Sequence, residues 1–292
     1  MFWKMWKWLG IISLCSTSQA LASGMTLHIW KSDMAVELLS DPGLQNFMQS
    51  QRAAYRNGAV FPDTGYAINH AYGEYSHWHD FLNSYYSIID RRCPTLESQD
   101  CQQLFAHFLG SLAHTIADIN FDRHFVTSAA QIDYQGSIDT SQSWLDTGLD
   151  FLAVFEHKRA FQIPKFQVPV QALLEAFDEG GELSVSRLDL LKGSSVLGLG
   201  LIFEPVGASF TYFYYKNNMP WAAANYLHAR GGVVDSAERI ARAWELVWQA
   251  FQQGRRDPLF ATYGHWPHAD FYVAGRWLED GFDSKDERIS SN

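Results

Sequence analysis

The chain has 292 residues, of which 47% are hydrophobic and 18% charged, and carries a net charge of −10 at pH 7. That balance supports a sizeable core in one large domain, expected over residues 23–283. It argues against a broad basic surface tracking nucleic-acid backbones, so no stable nucleic-acid partner is expected.

Met1–Ala22 reads as an export signal: Lys4 and Lys7 among aromatics, a short apolar stretch Leu9–Leu14, and the small residues of Ala20-Leu21-Ala22 before a cleavage point. The expected location is therefore periplasmic or secreted. Cys15 leaves with such a signal. Cys93 and Cys101 remain, either paired around a short loop in an oxidising compartment or as two free thiols.

His28 lies close to the expected mature N-terminus, a position open to metal ligation, and Asp33 is placed to cap a helix running to about Leu39. Asn57–Tyr66 reads NGAVFPDTGY, whose Gly58, Pro62 and Gly65 predict a constrained loop with Asp63 in its middle. There Asp63 is either a placed functional group or an Asx-turn residue. In GEYSHWHD, Gly73–Asp80, a helix is predicted from Ser76 onwards. His77 and His79 are two residues apart and cannot face one point on a regular helix; the local pattern does not choose between them. His70 is a further shell residue without sharper assignment.

Ala106–His124 reads AHFLGSLAHTIADINFDRH. Phe108, Leu109, Leu112, Ile116 and Ile119 fall at helical spacing, and His107, Ser111, His114 and Asp118 form a polar stripe. His114 and Asp118 sit one turn apart on one face, and His124 follows where Asn120 and Asp122 suggest the helix is ending. Two imidazoles and a carboxylate so spaced suit zinc. Trp144–Phe155 is a further predicted helix, with Asp146 and Asp150 one turn apart. Val168–Phe177 is expected to be a helix closed at Gly180-Gly181. Leu188–Phe203 reads as a buried helix bent at its glycines, too broken for a membrane span. Asp235 and Glu238 resemble a capping box before a helix with a stripe of Ile240, Trp244, Val247 and Phe251. His265-Trp266-Pro267-His268 reads as aromatic packing and surface histidine, with a loop into a pocket as the alternative. Residues 284–292 form a polar tail.

Taken together, GAVFPDTGY, SHWHDFL and FLGSLAHTIADINFDRH resemble the zinc-dependent phospholipase C family, including the amino-terminal catalytic domain of the glycosylphosphatidylinositol-specific phospholipases D. The resemblance covers roughly Met25–Phe155. It implies an all-α, multi-helix fold of the phospholipase C/P1 nuclease-like kind, built around two or three zinc ions. It implies phosphodiester hydrolysis of phospholipids, with transient membrane-surface contact. A single-strand zinc nuclease and a non-catalytic helical metal-binding or interaction protein are the alternatives. Carried over residue by residue, the resemblance makes His28, His77, His114, Asp118, His124 and Asp146 zinc ligands and Asp63 the general base. Where the family presents a histidine four residues before the last acidic ligand, this chain has Gln142, a much weaker ligand.

Overall fold

Leu104, Phe105, Phe108, Leu109, Leu112 and Ile116 fall on one broad apolar face of a helix, and such a face must be covered. In the computed structural model it is. The structure describes residues 24–160, 168–181, 183–255 and 259–278. Helix α7, Gln99–Asn120, starts at Ser98, whose hydroxyl accepts from the Cys101 amide, and is buried continuously from Leu104 to Asn120. The expected signal peptide with Cys15 and the polar tail lie outside the described residues.

Around α7 the chain runs α1 (Met25–Leu38), α2 (Pro42–Ser50), α3 (Arg52–Val60), α4 (Asp63–Tyr66), α5 (Tyr72–Ser76) and α6 (His79–Arg92). After α7 come a π turn (Phe121–Val126), α8 (Thr127–Asp133), α9 (Ile138–His157), α10 (Val170–Gly180), α11 (Arg187–Asn218), α12 (Pro220–Asn225) and α13 (Val233–Gln252). The chain is all-α, as expected. Strands β1 (Phe260–Tyr263), β2 (Asp270–Val273) and β3 (Arg276–Trp277) add a small antiparallel sheet, with Phe260 opposite Val273 and Tyr272 opposite Trp277.

The tightest crossing in the core is α3 on α7. A Cβ added at Gly58 would stand 1.9 Å from the His107 carbonyl oxygen, and one at Gly110 would stand 2.1 Å from that of Tyr55. The missing side chains let the two backbones touch. On another side of α7, the Trp244 indole of α13 is fully buried and donates to the Leu109 carbonyl at 2.7 Å.

Several expected boundaries shift, each because a distant partner overrides a local signal. The first helix begins at Met25, not Asp33, so His28 is helical. Asp33 is held mid-helix by Arg56 and by the Tyr55 hydroxyl at 2.8 Å, and so does not cap. The capping carboxylate comes from α9: Asp150 accepts from the Thr26 and Leu27 amides at 3.0 and 2.9 Å. Asn57–Val60 belong to α3 rather than to a loop. The α-helical stretch of the central helix ends at Asn120, where the sequence suggested, but the chain does not turn away there: buried Phe121, Phe125 and Val126 carry it through the π turn into α8. Helix α13 begins after Gly232, and Asp235, instead of joining a capping box, accepts from the Gly231 amide and the Asn120 side chain. The predicted Leu188–Phe203 helix is the longer α11. Its glycines serve close approach, Gly193 lying against the Thr64 carbonyl, and much of its other side is exposed.

Cys93 and Cys101 form a disulfide between the end of α6 and the start of α7, eight residues apart. Restricting the unfolded chain over a loop of this size is worth about 2.5 kcal/mol by the chain-entropy account. Replacing both cysteines by serine is expected to lower the unfolding free energy by about that amount in chemical denaturation. A shift near zero would mean that helix packing already imposes the restraint.

Candidate metal centre

Three helices and one turn converge on a buried group of imidazoles and carboxylates. Helix α1 supplies His28, α4 supplies Asp63, the turn after α5 supplies His77, and α7 supplies His114 and Asp118. All five are buried, His114 completely. Their donor atoms form two overlapping groups, His28 with Asp63 and His114, and His77 with His114 and Asp118, each within 4.8 Å. Asp118 is shared: Oδ1 lies 3.1 Å from His28 Nε2, while Oδ2 lies 3.0 Å from His114 Nε2 and 3.4 Å from His77 Nε2.

The ring orientations are fixed from behind. His114 Nδ1 bonds the Ala59 carbonyl at 2.8 Å, and His77 Nδ1 bonds the Gly73 carbonyl at 2.6 Å. A carbonyl can only accept, so both rings carry their proton on Nδ1, as metal-binding histidines do. Both Nε2 atoms then face the centre, 2.9 Å apart. The His28 ring stacks on His114 at 3.8 Å.

Burial and charge pull the group in opposite directions. Burial lowers the His28 imidazole to about 4, with His114 adding to the effect. Burial also pulls His77 down, but Asp63 and Asp118 outweigh it and carry that ring up to about 9. Burial works against the Asp118 carboxylate, yet His114 and His28 hold it well below the usual range.

These residues fit a metal ion. Both carboxylate oxygens of Asp63 are buried without a hydrogen-bond donor, the nearest ring nitrogens being 3.6 and 3.7 Å away at His77 and His114. A buried carboxylate without a hydrogen-bond donor is costly, and a cation between it and the two imidazoles would satisfy all three. The donor set of imidazole nitrogen and carboxylate oxygen suits zinc.

The other expected ligands fall outside these two groups. His124 lies half-buried on the π turn. That turn spends an additional residue and changes the angular position of the side chains after Asn120 relative to His114 and Asp118. Asp146 is buried on α9, and Gln142, one turn earlier, lines the cleft described below. The choice between His77 and His79 is resolved by α6: His79 faces Thr262 of β1 at 3.0 Å and Asp80 at 3.4 Å. His107, first in the polar stripe of α7, is a core residue, bonded to the Tyr85 hydroxyl at 3.0 Å and lowered to about 3 by burial.

A cleft of about 290 Å³ opens beside the cluster, with His77, Asp118, Asp122, Gln142, Tyr66 and Trp266 among its walls. Asp122 carries a signal legible in the sequence, lying one turn beyond Asp118 as Asp118 lies one turn beyond His114. Trp266 Nε1 donates to Asp122 Oδ2 at 2.8 Å, so the late His-Trp-Pro-His segment does enter a pocket. Burial, reinforced by Asp118, pushes the Asp122 carboxyl well above the usual range. Lys31, one turn after His28, is buried with its ammonium 4.7 Å from the Phe121 ring centre. Burial lowers it to about 8 against the opposing charges of Asp118, Asp150, Asp122 and Asp146. A lysine among apolar residues gave no warning in the sequence that it would be enclosed.

The model of the family described as zinc dependent phospholipase C matches residues 27–180. Among curated proteins, the phosphatidylinositol-glycan-specific phospholipase D of Rattus norvegicus is 24% identical over 282 residues, covering 89% of this chain and 34% of the relative. The proteins of the same name from Bos taurus and Homo sapiens are each 26% identical, covering 88% and 89% of this chain and 34% of the relative in both cases. The chain thus spans about a third of the length of the curated relatives it matches. No solved structure matches it significantly.

Proposed function

The chain belongs to the zinc-dependent phospholipase C family, and from that premise we propose that it is a zinc-dependent hydrolase of phospholipid phosphodiester bonds. The observation that carries this reading is the buried five-residue cluster with its unsatisfied Asp63 carboxylate, set beside an aromatic-walled cleft. When bound, zinc supplies a Lewis acid for the phosphoryl oxygens and acidifies water for attack at phosphorus.

The chain's residues do the rest. His77 and His114 present Nε2 because the Gly73 and Ala59 carbonyls hold their Nδ1 protons. Asp118 faces His28 with one oxygen and His77 and His114 with the other, so it is the residue able to bridge two ions. Asp63 stands between histidines, which favours a binding role over that of a separate base. Tyr66, Trp78 and Trp266 are the aromatic walls of the cleft in which a phosphodiester would lie. We place the working protein outside the reducing cytoplasm, which accords with the Cys93–Cys101 disulfide.

We expect two zinc ions per chain, not three. Gln142 is a weak ligand for a third ion. Elemental analysis after zinc-replete purification checks this, and three ions would show that Gln142 suffices. The function is tested by offering the zinc-loaded chain phospholipids and single-stranded oligonucleotides and weighing the products. Diacylglycerol with a phosphorylated head group is the expected outcome. Phosphatidic acid would mark D-type cleavage, the second reading, favoured by the likeness to phospholipases D. Nucleotides would identify a nuclease, and inactivity of fully metallated protein would favour the non-catalytic alternative.

A further inference from the structure

From Leu199 to Phe213 one face of α11 is apolar, exposed and free of charge. Leu199, Ile202, Phe203, Val206, Phe210 and Phe213 lie along it at helical spacing, and Phe203, Phe210 and Phe213 are 65%, 81% and 71% exposed. Such a patch on a water-facing helix marks an interaction site. Between Lys192 and Lys216 the sequence has a single ionisable acid or base other than tyrosine, Glu204. That residue is turned inward, accepting from the Thr26 hydroxyl at 2.5 Å.

We propose that this face of α11 docks the protein onto a phospholipid bilayer, lying in the plane of the interface. The proposal rests on the phospholipid reading above and names the surface that would deliver the site to its substrate. Three observations favour a bilayer as occupant. First, an uncharged aromatic and aliphatic face, with charge returning only at its ends, matches the boundary between head groups and acyl chains. Second, α11 is long and apolar enough to cross a membrane, yet its opposite side is fastened to the protein body. Gly193 meets Thr64, Gly200 meets Met25, and Glu204 is held by Thr26, so the helix offers a face and not a span. Third, those fastening points adjoin the candidate metal ligands: Thr64 follows Asp63, and Met25 and Thr26 precede His28 on α1. A bilayer against α11 is therefore separated by that one helix from the elements that carry Asp63 and His28. With a net charge of −10 and an uncharged contact face, binding should be driven by apolar burial, not by attraction to anionic lipid.

The test is co-sedimentation of the zinc-loaded full chain with phosphatidylcholine vesicles at high salt. It is paired with turnover of a short-chain phosphatidylcholine kept below its micelle concentration. Phe203→Glu combined with Phe210→Glu changes two exposed residues outside the site. Leu38→Glu, at the end of α1 remote from α11, is the control. The wild type and the control are expected to bind vesicles. The double variant is expected to bind at least about tenfold more weakly, with a matching loss of turnover on vesicles and none on the monomeric lipid. Wild-type protein that does not sediment with vesicles, or a double variant that binds like wild type, overturns the proposal. So does a wild-type dimer that the double variant splits without change in vesicle binding, since the occupant would then be a second copy. If wild type hydrolyses neither lipid while the double variant still loses vesicle binding, the docking surface stands and the hydrolase reading falls.

Discussion

Asp118→Asn is expected to abolish phospholipid turnover, by about 10³-fold or more, and to take the bound metal with it. The reason is the sharing of one carboxylate between the two donor groups, through Oδ1 to His28 and through Oδ2 to His77 and His114. An asparagine amide offers one oxygen and no charge, so it cannot serve both sides. Asp63→Asn is expected to be less severe in metal content, removing one ion and leaving the other, with turnover reduced by about 10²-fold or more. Elemental analysis and steady-state rates on the two purified variants separate the roles, with circular dichroism confirming that each is folded. If Asp63→Asn keeps both ions and still loses turnover, Asp63 is the general base that the family resemblance implies. Full metal content in Asp118→Asn would remove it from the centre.

Gly110→Ala is expected to cost about 3 kcal/mol of stability, although alanine is the better helix former. The added Cβ would fall 2.1 Å from the Tyr55 carbonyl oxygen, a backbone atom that can give way only if α3 moves as a whole. The displacement should also reach the site. Ala59, whose carbonyl holds His114 Nδ1 at 2.8 Å, lies on α3 one turn beyond Tyr55. Losing the partner behind a metal-binding histidine weakens metal affinity by roughly 10- to 100-fold. Gly200→Ala is the control: its Cβ would meet only the mobile end of Met25 at 3.3 Å. Denaturant midpoints and zinc titrations on the two variants are the measurements. Equal stability in both would show that the α3–α7 contact can relax.

Features that depend only on neighbours along the chain were legible before folding. The helical spacing of apolar residues in α7, the one-turn pairing of His114 with Asp118, and the helix closed at Gly180-Gly181 are properties of backbone geometry and could be read locally. The order of the quoted motifs pointed to the family. Features that depend on a partner far along the chain were not legible. Asp33 looks like a cap until Arg56 and Tyr55 claim it, and the first helix is capped instead by Asp150, more than a hundred residues away. Whether His77 or His79 faces the centre was settled by which face of α6 meets β1. Trp266 is unremarkable until the late loop folds over the end of α7 and joins it to Asp122 across 144 residues. The apolar run in α11 has the composition of a buried helix, and composition cannot tell core from docking face. Only the small residues on one side, where the helix lies against the body, and the uncovered aromatics on the other distinguish them. Local propensity is a short-range free energy, whereas burial and ligand convergence are set by which surfaces the whole chain brings together.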